Sequence, residues 1–422
     1  MLKPEDNERL VRVGRGKPVG ELFRRYWIPA LLSSEVADVD GPPLRVRLLG
    51  EDLIAFRDTS GRVGLVDAFC PHRRAPLFFG RNEECGIRCA YHGWKFDVHG
   101  NCLDTPSEPA DSALKSRIKI TAYPTLDRGG IIWAFLGPPA QVPPPPDYEW
   151  TRAPATHRHV SKTFEHCNYL QALEGGLDTS HSSFVHNNNI KQADLRTHDR
   201  APYIEVERTD YGYTYSSTRH YGEGKRYVRI YHYVMPSQQM RGGMIASDGK
   251  RHEVPKLDGH IWVPIDDEHT YVYNWACGYD ESAPLTKECM TEWESFAGRG
   301  ENDLIPGTFR LKRNISNDYL VDRNLQKSST FTGITGLNTQ DFALQEGMGP
   351  IVDRSKEHLG ACDKAIVALR RLLLEATYAV ERGERPRGTN PEAYRNIRPY
   401  DDFVDGEADW RQALVKELLP KW

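Results

Sequence analysis

No run of about 18 apolar residues occurs in this 422-residue chain, so nothing in it predicts a membrane-spanning helix. Basic charge is not in excess either. The 55 Lys and Arg stand against 59 Asp and Glu, a formal net charge of −4, without the basic stripe that a nucleic-acid surface needs. The opening residues, MLKPEDNERLVRVG, are charged and lack the apolar core of a signal peptide. Cysteine is sparse, 8 in all, and does not form a disulfide framework. These absences predict a cytoplasmic protein in a reducing compartment. Internal repeats are missing. So is a nucleotide-binding glycine fingerprint: Gly14-x-Gly16 is the nearest pair, and it follows no strand-like run.

What the chain has is length and aromatic bulk. A chain of this size is too long for one ordinary core and predicts two domains. The 20 Tyr, 14 Phe and 9 Trp suit generous cores and aromatic-lined pockets.

Two half-sites for one metal cluster lie early in the chain. Cys70-Pro71-His72 is followed, after sixteen intervening residues, by Cys89-Ala90-Tyr91-His92. Two thiolates and two imidazoles in this order are the ligand set of a Rieske [2Fe–2S] centre, in which two His replace two Cys on one iron. Structural zinc is the competing reading. Zinc sites of this composition usually group like ligands, Cys with Cys and His with His, whereas each half-site here carries one of each. Cys85 reads as an ordinary small buried residue rather than a partner of Cys89.

The patterning sets the architecture. Residues 1–43 read as a helical or irregular lead-in, with Phe23 to Trp27 supplying bulk for packing. From Leu44 the text turns to strands. Arg45–Leu49 alternates, Gly50-Glu51-Asp52 turns, and Leu53–Phe56 returns as a hairpin. Gly64–Asp67, Trp94–Asp97 and Ile131–Phe135 read as further strands. Val142-Pro143-Pro144-Pro145-Pro146 is a stiff, extended break and marks a domain boundary. Beyond it, 200–280 is again strand-rich, including Tyr271–Trp275. A helix is expected from about Asp363 to Arg382, capped by Asp363, with Ile366, Leu369, Leu372, Leu373, Ala376 and Val380 on one face. The fold class is therefore α+β: a small antiparallel β domain carrying the cluster, plus a larger domain with an antiparallel sheet and covering helices. The expected division is 1–43 as a lead-in packing on the larger domain, 44–140 as the cluster domain, and 141–422 as the larger domain.

A second metal site is written between residues 174 and 186. Glu174, Asp178, His181 and His186 supply the beginnings of a 2-His-1-carboxylate triad, which leaves coordination positions open on Fe(II). At about 100° per residue, Glu174, Asp178 and His181 share one face of a helix, but His186 lies about 140° round from His181. A straight helix cannot aim both imidazoles at one ion. The spacing therefore predicts a π-bulge, a kink or a helix end between 181 and 186. A carboxylate completes the triad, and Asp341, Glu346 and Asp353 are the candidates. Asp341 leads, as a carboxylate among apolar residues at the start of an expected helix. The competing reading, polar residues on a solvated helix face, fits a single His better than a pair beside a Rieske cluster.

Taken together, Cys70-Pro71-His72-Arg73, Cys89-x2-His92, NYLQALEGGLDTSHSSFVH (168–186) and QDFALQEGMGPIVDRSKEHLG (340–360) resemble a Rieske non-heme iron oxygenase. More narrowly, the chain resembles the oxygenase components of the phthalate dioxygenase group, which includes aromatic-acid hydroxylases and O-demethylases of the dehydrodivanillate type. The resemblance implies that Cys70, His72, Cys89 and His92 hold the [2Fe–2S] cluster and that His181, His186 and Asp341 hold a mononuclear Fe(II). It implies that Asp178 bridges His181 to His92 of a neighbouring copy, so the working unit is a homo-oligomer, a trimer or a multiple of one. A separate NAD(P)H-dependent reductase, with or without a ferredoxin, is implied as electron donor.

The substrate is less legible. Arg208, Arg219, Arg226, Arg229 and Arg241 fall in the strand region expected to wall the pocket, and a planar guanidinium suits a carboxylate. Arg241 is the first choice and Arg208 the second. The function expected is hydroxylation of a phthalate-like aromatic acid with O2. O-demethylation of a methoxylated aromatic acid is the alternative. Other classes remain in view: a Rieske electron carrier would need two irons per chain where the oxygenase needs three, and a non-catalytic binding protein would show no oxygen uptake.

Overall fold

The computed structural model describes residues 2–222 and 224–422. Its first part holds ten short strands: β1 (Trp27–Leu32), β2 (Leu44–Leu48), β3 (Glu51–Arg57), β4 (Val63–Asp67), β5 (Arg81–Glu83), β6 (Gly86–Arg88), β7 (Lys95–Phe96), β8 (Cys102–Asp104), β9 (Thr125–Arg128) and β10 (Ile131–Phe135). They form three antiparallel sheets, ordered β2-β3-β4, β5-β6-β7-β8 and β1-β10-β9. The hairpin expected at 44–56 is present. Its turn falls at Leu49-Gly50, earlier than the sequence reading placed it, because both residues take the positive φ of a two-residue hairpin turn, 49° and 77°. Ile54, Phe56, Val66, Leu77, Ile87 and Phe96 make the small core beneath the cluster loops, and Cys70 and Cys89 point into it.

The lead-in is more ordered than the sequence suggested. Pro4–Val11 and Pro18–Phe23 are helices α1 and α2, each starting on a proline whose fixed φ suits a first turn. The text after them is a strand, not irregular chain: β1 pairs antiparallel with β10. Its bulky residues are needed there, since Ile28, Ala30 and Leu31 are buried.

The second part is built on an eight-stranded antiparallel sheet. Its strands are β11 (Arg158–Glu165), β12 (Tyr203–Arg208), β13 (Gly212–Tyr221), β14 (Lys225–Val234), β15 (Gln238–Ile245), β16 (Arg251–Pro264), β17 (Thr270–Gly278) and β18 (Tyr400–Asp405). The order is β11-β17-β16-β15-β14-β13-β12, with β18 pairing the first half of β14 while β15 pairs its second half. Helices α3 (Tyr169–Leu177), α4 (Lys287–Ala297), α5 (Leu337–Gly347) and α6 (Lys364–Glu381) cover it. The architecture is the expected α+β.

Helix α6 lies where its 3.6-residue pattern placed it. Ile366, Leu369, Leu372, Leu373, Ala376 and Val380 are all buried, and each large one contributes roughly 1.5–3 kcal/mol by leaving water. Gly383, at φ 80°, takes the left-handed position that ends the helix. Asp363 stands at the N-cap but does not cap with its side chain. Its carboxylate accepts from the Gly360 N–H instead, at 2.6 Å.

Candidate functional site

Two loops present the four cluster-type residues, and they are built alike. The Cys70 N–H donates to Ala75 O at 2.9 Å and the Cys89 N–H to Trp94 O at 2.8 Å. In each loop the fifth residue donates back to the cysteine carbonyl and takes positive φ, Arg74 at 57° and Gly93 at 76°. Two such turns face each other, with both thiols buried and the rings of His72 and His92 only 4.5 Å apart. The His72 ring is held flat against Trp94, 4.4 Å away at 6° between planes. Its Nδ1 is buried without a hydrogen-bond partner among the described residues. A buried ring nitrogen without a partner, beside two buried thiols, fits a metal cluster. Cys85 takes no part. It sits half-buried at the Glu84-Cys85 turn between β5 and β6, with its sulfur 3.3 Å from the Ser60 hydroxyl.

The second group lies at the end of α3. Asn168 caps this helix by accepting from Leu170 N at 3.1 Å. The helix stops at Leu177, and Asp178 takes extended backbone. A short 3-10 turn, His181–Ser183, follows. The chain is therefore not one helix across the two histidines, as their spacing demands, but the helix end lies at Leu177, before His181, rather than between 181 and 186 where it was expected. Only the end of the 3-10 turn falls between the two histidines. His181 Nε2 and His186 Nε2 come to 3.2 Å from each other. Asp341 Oδ1, from the middle of α5, lies 3.5 Å from the first and 3.3 Å from the second. Two imidazole nitrogens bound at right angles, about 2.1 Å from one ion, would be about 3 Å apart. The three atoms thus fit a single divalent metal with one side left open. Electrostatics agree. Burial alone would raise the carboxyl of Asp341, yet His186, His181 and Arg241 hold it below the ordinary range.

The other carboxylates are engaged elsewhere. Glu174 points away from the histidines into a buried pair of guanidiniums, with Arg354 at 2.9 Å and Arg370 at 2.6 Å. Glu346 accepts from the Tyr319 hydroxyl and from His166 N. Asp353 caps a turn at Ser355. Asp178 stands at the rim. One oxygen accepts from Ser180 N at 2.7 Å, and the other lies 3.6 Å from His181 Nδ1.

Arg241, on β15, reaches the triad closely enough for its charge to act on both His181 and Asp341. Its Nε donates to Asp258 and its Nη2 to His260 at 2.8 Å. Arg208 is not part of this site. It lies on the edge strand β12, where its exposed side chain pairs with Glu375 of α6. Edge position and alternation turn it outward, which composition could not reveal. Arg219, Arg226 and Arg229 are bound to backbone carbonyls, of Asp199 and Thr179, of Ala408, and of Gly242.

Two residues escaped the sequence reading. Gln340 touches His186 Nδ1 at 2.9 Å. Asn338 donates to Asp341 Oδ2 at 3.5 Å and accepts from Arg299. Both flank Asp341 in the motif, and their place in the first turns of α5 was the available signal.

A cluster-binding β domain joined to a sheet-and-helix domain with a facial His-His-Asp group defines a two-centre iron oxygenase. Residues 26–124 match the Rieske [2Fe-2S] domain, and residues 134–419 match the family described as LigXa C-terminal domain like. The chain is 40% identical to the phthalate 4,5-dioxygenase oxygenase subunit of Pseudomonas putida, over 97% of this chain and 94% of that protein. It is 35% identical to the 3-chlorobenzoate-3,4-dioxygenase oxygenase subunit of Comamonas testosteroni, over 99% of both. Identity to the 5,5'-dehydrodivanillate O-demethylase oxygenase subunit of Sphingobium sp. is 32%, over 92% of this chain and 83% of that one. Dicamba monooxygenase shares the fold at TM-score 0.61 and 19% identity, over 86% of this chain and 99% of that one. The chain belongs to the Rieske non-heme iron oxygenases, as an oxygenase component of the phthalate dioxygenase group. Its cofactors are a Rieske [2Fe–2S] cluster and a mononuclear iron. The phthalate and chlorobenzoate relatives are both named as oxygenase subunits, that is, as parts of multicomponent enzymes. Among the described residues, no helix is long and apolar enough to cross a membrane.

Proposed function

We propose that this oxygenase component hydroxylates an aromatic carboxylic acid of the phthalate type. The observation that carries this reading is Arg241. It is a guanidinium beside the His181–His186–Asp341 group, braced from behind by Asp258 and His260 so that its fork is held in one direction. A guanidinium fixed in this way can take a carboxylate in bidentate fashion and hold the attached ring over the metal. The relatives named for phthalate and chlorobenzoate support the same substrate class.

His181, His186 and Asp341 would hold the iron, and Cys70, His72, Cys89 and His92 the cluster. When bound, the iron supplies dioxygen activation and the cluster supplies single electrons. The chain's own residues do the rest. Arg241 orients the acid, and the triad leaves one side of the metal free. Asp178, poised beside His181 Nδ1, would link that ring to His92 of a neighbouring copy. The working unit is then a homotrimer or a multiple of it, in the cytoplasm, with an NAD(P)H-dependent reductase as donor. In this division 44–140 is the electron-relay unit and 141–422 the catalytic unit; of 1–43, α1 and α2 pack on the latter, while β1 pairs with β10 of the former.

The O-demethylase relative supports a second reading, in which a methoxyl carbon rather than a ring carbon faces the metal. One experiment separates the two. Reconstituted with a reductase, the enzyme is screened for substrate-dependent oxygen uptake on phthalates, chlorobenzoates and methoxylated aromatic acids, with products identified. A cis-dihydrodiol from an aromatic acid supports the proposal. Formaldehyde and a phenol from a methoxylated acid alone would replace it with the second reading, and uptake with none of the acids would overturn both.

A further inference from the structure

Gln340 lies on α5, one residue before Asp341, and is fully buried. Its side-chain amide makes three hydrogen bonds. Nε2 donates to Asn188 Oδ1 at 2.8 Å and to Ile334 O at 2.8 Å. Oε1 faces His186 Nδ1 at 2.9 Å. These contacts leave one arrangement. A carbonyl oxygen can only accept, so the amide end facing Ile334 must be the NH2, and its two protons serve Ile334 and Asn188. The oxygen is thereby turned to His186, and it too can only accept. His186 Nδ1 must carry the proton, which leaves the lone pair of Nε2 directed at the point it shares with His181 and Asp341.

We propose that Gln340 is the positioning residue for His186: it fixes both the tautomer and the ring angle that present Nε2 to the metal. The proposal rests on the reading of His186 as an iron ligand. It differs from that reading in assigning the ligand's orientation to an uncharged amide, where a carboxylate or a backbone carbonyl commonly serves. The neutral partner leaves the imidazole's charge unchanged, while the adjacent Asp341 supplies the anion. The brace also has a far end. Asn188 lines a cavity of about 500 Å³ bounded by Asp194, Arg196, His198, Asp248 and Phe296. The loop that walls this cavity is therefore tied, through two side chains, to a metal ligand.

The test is anaerobic titration of Fe(II) into enzyme whose mononuclear site has been emptied, with Rieske absorbance and thermal melting as controls for fold. The nitric oxide adduct of the ferrous site, read by EPR, reports ligand orientation. Gln340→Leu removes the acceptor and is expected to weaken Fe(II) binding about 10- to 100-fold and to change the EPR rhombicity. Gln340→Glu keeps an acceptor for Nδ1–H but gives up the NH2 that serves Ile334 O and Asn188 Oδ1, and is expected to fall between wild type and the Leu variant in both affinity and rhombicity. Asn188→Ala, which leaves the Gln340 amide held by Ile334 O alone, is expected to change the EPR signal and serves if Gln340→Leu does not fold. Wild-type affinity and spectrum in Gln340→Leu would overturn the proposal. An unchanged spectrum in Asn188→Ala, where that variant carries the test, would do the same. His186→Ala separates the two levels: if it still holds iron, the ligand reading itself is wrong.

Discussion

Arg241 Nη2 lies 2.8 Å from His260 Nε2, and that contact orders a chain of side chains behind the site. A guanidinium only donates, so His260 Nε2 accepts and its proton sits on Nδ1. Nδ1–H donates to Asn274 Oδ1 at 2.8 Å, Asn274 Nδ2 to Ser161 at 3.2 Å, and the Ser161 hydroxyl to Glu294 at 3.1 Å. Glu294 also accepts from Arg299, which donates onward to Asn338 and so to Asp341. Every tautomer and amide orientation along this path is determined. Burial, with the charges of Arg241 and Arg299, drives the pKa of His260 well below its ordinary value and keeps the ring neutral.

Arg241→Lys keeps a cation for the buried Asp258 but loses the planar fork. The KM for an aromatic acid is expected to rise about 10-fold, near 1.4 kcal/mol, with iron content and Rieske spectrum unchanged. Oxygen uptake against substrate concentration measures it. An unaltered KM would place the carboxylate elsewhere.

Asp178 is not one of the three converging residues, yet it stands 3.6 Å from the outer nitrogen of His181. Asp178→Asn preserves size and removes the charge that steadies the ring. Both metals should remain bound, and single-turnover rates should fall at least about 10-fold. Rapid-mix kinetics on the reduced enzyme checks this; a normal single-turnover rate would remove Asp178 from the electron path.

Stability should fall on mild acidification because of a buried histidine outside both metal-ligand groups. His232 is buried and accepts at Nδ1 from the Tyr211 hydroxyl, while Nε2–H donates to Arg398 O at 3.1 Å. Burial pushes its pKa down to about 4. The folded ring is neutral where the unfolded one, near 6.5, takes a proton. Its stabilising share is therefore present above pH 6.5 and is lost between there and pH 4, to the extent of roughly 3 kcal/mol. Glu294, held at about 2, acts in a lower window: its share is present above about pH 4.5 and disappears as pH falls toward 2. Denaturant unfolding at pH 7.5 and 5 tests the first effect. His232→Gln should flatten the difference, and an equal slope in the variant would contradict the assignment.

The sequence carried much of this site, for identifiable reasons. Cys70, His72, Cys89 and His92 were legible because local turns bring each half-site together within a few residues. His181 and His186 were legible because their spacing conflicts with a helix; that conflict required a break but placed it between 181 and 186, whereas the helix already ends at Leu177. Helix α6 was legible because its face is continuous and apolar. Asp341 could not be separated from Glu346 and Asp353 by composition, because the choice is made by Tyr319 and by the Asp353 turn, both set by tertiary packing. Arg208 was misjudged for a related reason. Alternation assigns a strand residue to a face but not to a side of the molecule, and an edge strand carried it to Glu375.

The glycine pair Gly175-Gly176 is the least expected feature of α3, since two glycines inside a helix cost roughly 1–2 kcal/mol relative to alanine. Packing accounts for them. A Cβ at Gly176 would meet the Trp262 ring at 2.2 Å, and one at Gly175 would meet the Gln345 amide at 2.1 Å. The helix must lie this close to β16 and α5 because its C-terminal end delivers Asp178 and His181 to the Asp341 side of the site. Gly176→Ala offers better helix propensity, yet it has to displace a buried indole whose exposure is only 3%. Overpacking of this kind costs about 1–3 kcal/mol, and the shift passes directly to the metal group. The variant is expected to fold with an intact Rieske spectrum, to melt lower, and to hold less than one mononuclear iron per chain. Iron analysis beside Rieske absorbance decides it: three irons per chain in Gly176→Ala would mean that the close approach serves stability alone.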